Sequence, residues 1–313
     1  MNIGIDVGGT NLKAGLVDEK GTLLAVSRMP LGEFVSPGCF AETLSQLACA
    51  CAQKAGIDPR SVESAGIGIP GSVCGGTVLY TCNIPLRDVP LAELFQRRLP
   101  IPVLLGNDAD CAAVGEYFCG AGRGTHNFLV VTLGTGVGAG MILNGKLYTG
   151  MGAAGEAGHM VIAQGGECCT CGRRGCWEQY ASATGLIRMT KAAMAADPGS
   201  ALHAAAEKNG AVDGRTPFEA AQQGDPAAVR VCAQYAEFLA AGLTNLVNLL
   251  HPERIALGGG VAAAPEELLL APVRRIVGRE CYARHGEART EIVCAELGND
   301  AGIIGAALLN RAV

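Results

Sequence analysis

Aromatic side chains are scarce in this chain, at 4% of the sequence with a single tryptophan. So few rings cannot supply the stacking platforms on which single-stranded nucleic acid is held. Charge is sparse too: 17% of residues are charged, the net charge is −5, and no basic block or stripe interrupts the sequence. A phosphate backbone finds no electrostatic footprint here, so nucleic-acid partners are not expected. No apolar run approaches the ~18 residues of a membrane span. The opening MNIGIDVGG lacks a charged region ahead of a long apolar stretch, as a signal peptide would have. The expectation is a cytoplasmic protein with reduced thiols and no membrane partner. Cysteine, at fourteen residues, falls short of the density of a disulfide scaffold. Most cysteines (Cys49, Cys51, Cys111, Cys232, Cys294) stand alone in apolar segments, as small core residues do.

What the chain does have is glycine, at 45 residues. That is roughly twice the usual share of about 7%. The glycines cluster at the ends of apolar runs without a repeating period, which points to tight loops where backbone approaches a ligand. With 49% hydrophobic residues over 313 positions, the chain can bury two cores.

Apolar runs alternate with helical patterns, the mark of an α/β protein. Met1–Val7, Leu12–Val17 and Thr22–Arg28 read as consecutive strands, and Ser36-Pro37 opens a helix running to about Ala55. A strand over Ala65–Ile69, a helix over Leu91–Arg98, a strand over Val103–Leu105 and a helix over Asp108–Phe118 follow. Phe128–Leu133 and Gly138–Leu143 then repeat the opening theme of strand, glycine loop, strand. Helices dominate Glu178–Leu250, interrupted at Asp197-Pro198-Gly199 and over Lys208–Thr216. Arg254–Leu257 and Glu291–Leu297 read as the last strands, before a C-terminal helix.

Three constellations carry chemistry. The first is the pair of glycine loops. After a strand, Asp6-Val7-Gly8-Gly9-Thr10-Asn11 offers unobstructed backbone N–H groups, two polar side chains and Lys13 nearby, which suits polyphosphate. Asp6 could hold Mg²⁺ through water. A plain hairpin turn would explain this loop, or Gly134-Thr135-Gly136, taken singly. Two such loops at matching places favour a nucleotide held between domains. The second is His159-x9-Cys169-x-Cys171-x4-Cys176, one imidazole and three thiolates with Gly165, Gly166, Gly172 and Gly175 between them. A closed tetrahedral zinc fits this set; core thiols or a redox pair are the alternatives, and Cys168 is a spare. The third is Asn107-Asp108, between a strand and a helix, where α/β sheets bind ligands. Asp108 there is either an acid–base group or a helix cap. With Asn83, Glu156, His159 and Glu178, these groups suit a neutral, hydroxyl-rich ligand.

Residues in this order closely resemble the ROK family (repressors, open reading frames and sugar kinases). The matching elements are DVGGTNLK at 6–13, GIPGSV at 68–73, GNDADCAAVGE at 106–116, LGTGVGAG at 133–140, GEAGHMVI at 155–162, CTCGRRGCWE at 169–178 and IALGGGV at 255–261. The resemblance implies an actin-like ATPase (ribonuclease H-like) fold, two α/β domains around a central cleft with a structural zinc loop. Residues 1–108, completed by about 299–313, would form the smaller domain, and 109–298 the larger, with the zinc loop at 159–176. It implies an ATP-dependent kinase acting on a hexose primary hydroxyl, with Mg²⁺ and structural Zn²⁺, in a homo-oligomer. Asp108 falls at the family's catalytic aspartate, and Asn83, Asn107, Glu156, His159 and Glu178 at its sugar contacts. Asp6, Gly8, Gly9, Thr10, Asn11, Lys13, Gly134, Thr135 and Gly136 match the phosphate hairpins, and Gly258, Gly259 and Gly260 the strand end near adenosine.

Two departures bear on the sugar. Family glucokinases often carry a tryptophan shortly after the asparagine, where this chain runs Asn83-Ile84-Pro85-Leu86. Cys74 stands where a polar or acidic residue is common. Glucose is the expected substrate, with allose, fructose, mannose or N-acetylmannosamine as alternatives. A sugar-responsive regulator is disfavoured, because the first phosphate-loop strand starts at Met1 with no DNA-binding segment ahead of it.

Overall fold

The computed structural model describes residues 1–81, 84–286 and 288–312. The first half of the chain runs β1 (Asn2–Val7), β2 (Asn11–Val17), β3 (Leu23–Pro30), α1 (Pro37–Lys54), β4 (Ala65–Ile69), β5 (Ser72–Cys74), β6 (Thr77–Tyr80), β7 (Arg87–Val89), α2 (Leu91–Gln96), β8 (Val103–Asn107) and α3 (Asp108–Cys119). Then come β9 (Phe128–Leu133), β10 (Val137–Leu143), β11 (Lys146–Leu147), α4 (Glu178–Ala181), α5 (Ala183–Ala196), α6 (Leu202–Lys208), α7 (Thr216–Gln222) and α8 (Pro226–Leu250). The chain closes with β12 (Arg254–Gly258), α9 (Leu270–Glu280), β13 (Glu291–Cys294) and α10 (Ala301–Ala307).

Two five-stranded sheets share one plan, in the orders β3-β2-β1-β4-β8 and β11-β10-β9-β12-β13. In the first, β1 pairs antiparallel with β2 and parallel with β4, so the sheet is mixed. The repeated strand–glycine loop–strand theme is therefore a repeated sheet topology. A small antiparallel sheet, β5-β6-β7, adds strands that the sequence pattern did not reveal, because each is only three or four residues long.

The chain divides into two compact units. Unit 1 comprises Met1–Val130, Gly140–Gly155 and Glu296–Val313, and unit 2 comprises Val131–Ala139 and Glu156–Ala295.

In unit 1, α1 starts where Ser36-Pro37 predicts: Ser36 Oγ accepts from Cys39 N–H at 3.2 Å. Phe40, Leu44, Leu47, Ala48 and Cys51 recur at helical spacing and are buried in one core with Ile3, Ile5, Leu12, Leu16 and Ile67. The C-terminal helix α10 lies almost in contact with the sheet backbone. A methyl carbon on Gly4 would sit 1.9 Å from Ile303 O, and one on Gly66 would sit 1.7 Å from Ala306 O. Only glycine at both positions lets the helix approach so closely.

The last strand is shorter than the sequence suggests. The apolar pattern runs to Leu297, but β13 ends at Cys294. Glu296 and Leu297 turn their N–H groups to the Glu116 carboxylate instead, at 3.1 and 2.7 Å.

In unit 2, the long helix α8 is capped by Asp225, whose carboxylate accepts from Ala228 N–H at 2.8 Å, and ends at left-handed His251, φ 42°. Against it packs Trp177, fully buried, its Nε1–H donating to Phe238 O at 2.9 Å. Tyr235 OH donates to Ala181 O at 2.6 Å from the same helix. The tryptophan thus pins the segment between Cys176 and Glu178 to the core of unit 2.

Candidate functional site

Unit 1 brings its candidate groups to the carboxyl ends of three adjacent strands. Asp6 is in register with Gly68 across β1–β4, and Ile69 with Asn107 across β4–β8. Burial pushes the Asp6 carboxyl above its ordinary range, opposed by Lys13, its partner across the β1–β2 hairpin. Cys111 one turn into α3 is pushed well up by burial, and further by Asp110, Asp6 and Asp108. Asp6 and Asp108 therefore act on one neighbourhood.

The residue that caps α3 is Asn107. Its Oδ1 accepts from Ala109 N–H at 2.8 Å, and its Nδ2 donates to Gly71 O at 3.0 Å. Asp108 occupies the first helical position, with Oδ1 2.9 Å from the same Ala109 N. The capping function thus does not depend on Asp108. The first glycine loop is closed by Gly8 N–H donating to Asn11 O at 2.9 Å, and Leu31 N–H holds Thr10 O at 2.9 Å. Gly9, Thr10 and Asn11 are exposed at its tip. Asn83 lies outside the described residues.

Unit 2 gathers the rest. Gly134 N–H closes the second loop onto Gly136 O at 3.1 Å. Gly259, at φ 85°, follows β12 so closely that a methyl carbon there would be 2.5 Å from Leu133 O. The Gly258–Gly260 run therefore borders the second loop.

The His/Cys constellation converges. One ligand atom from each of His159, Cys169, Cys171 and Cys176 lies within 4.8 Å of every other. Cys171 Sγ is 3.7 Å from Cys176 Sγ, and Cys169 Sγ is 3.6 Å from His159 Nδ1. A tetrahedral zinc with bonds of about 2.3 Å has edges of about 3.8 Å, so these separations fit one. Burial pushes the Cys176 thiol up to about 12, so it stays protonated unless a cation draws it to the thiolate. Core thiols would not converge on an imidazole in this way. Gly175 is needed at φ 81°, because a methyl carbon there would fall 1.8 Å from Ala163 O. The spare thiol Cys168 is outside the cluster, 2.6 Å from Arg174 Nη1.

His159 stands between two carboxylates. Its Nδ1 is 3.7 Å from Glu178 Oε1 and its Nε2 is 4.0 Å from Glu156 Oε2. Glu178 is largely buried and also accepts from Cys169 Sγ at 3.2 Å. Its other oxygen lies over the second loop, 2.7 Å from where a side chain on Gly136 would begin.

A model of the ROK family matches residues 2–313. The chain belongs to the ROK family. Its two α/β units with mixed sheets are the actin-like fold expected of a ROK protein. The chain is 37% identical to a glucokinase of Streptomyces coelicolor over 99% of this chain and 98% of that one. It is similar to a solved ROK glucokinase of Streptomyces griseus, in complex with glucose and AMPPNP, at 38% identity and TM-score 0.81 over 98% of each chain. A xylose repressor of Bacillus spizizenii is more distant, 29% identical over 97% of this chain and 75% of the repressor.

Two features of this ROK chain escaped the sequence reading. Glu116 closes the GNDADCAAVGE motif, but two of its partners are about 180 residues away in sequence. Ala183 and Thr184 contact the second glycine loop. The cap Ser182 signals where helix α5 starts, but not that its first turn meets the loop.

Proposed function

We propose that this chain is an ATP-dependent sugar kinase that phosphorylates a hexose at its primary hydroxyl, with D-glucose as acceptor. The observation that carries the reading is His159, held in the His/Cys cluster between Glu156 and Glu178. That arrangement offers a polyol two carboxylate acceptors and an imidazole N–H. Glucose and AMPPNP in the Streptomyces griseus relative support both ligands.

In this reading Asp108 orients the primary hydroxyl and accepts its proton during in-line transfer. Asn83 and Asn107 address hydroxyls nearer the reacting end, and Glu156, His159 and Glu178 the opposite edge. Asp6 would hold Mg²⁺ through water, and both glycine loops with Lys13 would cradle phosphates. Gly258–Gly260 would lie along adenosine. Bound Mg²⁺ would neutralise phosphate charge, and Zn²⁺ on His159, Cys169, Cys171 and Cys176 would cross-link the loop. Ile84 and Leu86 are buried in the core of unit 1, so the tryptophan-free run is anchored by packing.

The metal is expected at about one zinc per chain. Cys171→Ser should weaken zinc retention and, through His159 and Glu178, sugar affinity. Elemental analysis of protein purified without chelator checks the first, and sugar titration the second. Trp177, the chain's one tryptophan, adjoins both Cys176 and Glu178 and gives a fluorescence reading of loop order. Protein without zinc would overturn the metal assignment.

The substrate is checked by kcat/KM across glucose, mannose, allose, fructose, N-acetylglucosamine and N-acetylmannosamine. A site built on hydrogen bonds rejects an analogue lacking one hydroxyl, because buried partners are left unpaired. Glucose should rank at or near the top, with 2-deoxyglucose and pentoses poor. Another sugar exceeding glucose tenfold would remove glucose as the substrate and leave a kinase.

A further inference from the structure

Thr135 and Gly136 form the tip of the second glycine loop, and their amide N–H groups donate to nothing else among the described residues. Their preceding carbonyls are both held. Ala183 N–H donates to Gly134 O at 2.8 Å. Thr184 Oγ1 donates to Thr135 O, also at 2.8 Å. Both donors belong to the first turn of α5, whose N-cap Ser182 accepts from Gly185 N–H at 3.1 Å.

A trans peptide is planar, with its C=O and N–H on opposite sides. Holding Gly134 O against α5 turns the Thr135 N–H away from that helix. Holding Thr135 O does the same for the Gly136 N–H. Two successive amides are thereby presented on the same side of a short loop, an arrangement that suits an anion. In the first loop the comparable restraint, Leu31 N–H on Thr10 O, is made by backbone alone. In the second, one of the two restraints is a side-chain hydroxyl.

We propose that Thr184 is a positioning residue for the nucleotide: its hydroxyl fixes the Thr135–Gly136 peptide so that the Gly136 N–H faces a bound phosphate. This rests on the kinase reading above. Thr184 is itself exposed, so removing its hydroxyl leaves the core of unit 2 untouched.

The experiment compares zinc-loaded wild type, Thr184→Val and Thr184→Ser for AMPPNP affinity by calorimetry, and for the KM of ATP and of the sugar. Val keeps the shape and loses the donor; Ser keeps the donor. Thr184→Val should bind AMPPNP roughly 5- to 10-fold more weakly, as loss of one hydrogen bond implies. KM for ATP should rise in step, while KM for the sugar and zinc content stay near wild type. Thr184→Ser should restore AMPPNP binding. Unchanged AMPPNP affinity in Thr184→Val would overturn the role of Thr184, as would an equal loss for sugar or a failure of Ser to restore. Wild type that binds no AMPPNP would overturn the kinase reading itself, before any variant is compared.

Discussion

Asp108→Asn is expected to lower turnover by roughly 10²–10⁴-fold, with a far smaller change in sugar affinity. The amide keeps the size of the carboxylate and one oxygen, but it cannot take a proton from an attacking hydroxyl. Helix α3 should start as before, since its cap is Asn107, whose Oδ1 accepts the Ala109 N–H at 2.8 Å. Stability and chemistry are therefore separable at this position. Steady-state kinetics with a thermal melt of the same preparation make the measurement. A variant with near-normal turnover would mean that Asp108 serves only the start of the helix, and that the base lies elsewhere.

Glu116→Ala should cause the largest loss of stability. The Glu116 side chain is fully buried, and its carboxylate accepts three backbone N–H groups, from Ala121 at 2.9 Å, Glu296 at 3.1 Å and Leu297 at 2.7 Å. Each buried donor left unpaired costs about 1–3 kcal/mol, so the total should reach at least about 3 kcal/mol. That corresponds to a fall in Tm of about 6–12 °C. Glu116→Gln retains one good acceptor and should lie between Ala and wild type. Equal melting temperatures for all three proteins would show that water replaces the carboxylate without cost.

Local pattern made much of this fold and site readable, and distance in sequence hid the remainder. The β1–β2 and β9–β10 hairpins and the Ser36-Pro37 start of α1 follow from period and capping chemistry within a few residues. His159, Cys169, Cys171 and Cys176 span only eighteen positions, so their spacing exposed the cluster that the structure assembles. The fate of Glu296 and Leu297 was not readable, because an apolar alternation says strand while the distant Glu116 carboxylate takes their N–H groups. Helix α9 was missed as well. Its buried positions Leu270, Val273 and Val277 keep helical spacing, but Pro272 in its first turn and Gly278 near its end read as breaks in so short a span. Thr184 was hidden for another reason: a hydroxyl's value to a loop depends on which peptide it meets, and no local pattern records that.

The docking of α10 on Gly4 and Gly66 has a consequence for synthesis. The sheet of unit 1 is made before unit 2, yet the helix packed on its glycine floor is made after it. Between Val130 and Glu296 the growing chain must add the whole of unit 2, together with the Gly140–Gly155 segment of unit 1. At ~5–20 residues per second, that interval is roughly 8–33 s. Throughout it, the face of β1 and β4 around Gly4 and Gly66 lacks its covering, and Glu116 lacks two of its three donors. The second-made unit can therefore close on itself before the first, because its residues form one uninterrupted stretch from Glu156 to Ala295 after the short Val131–Ala139 segment.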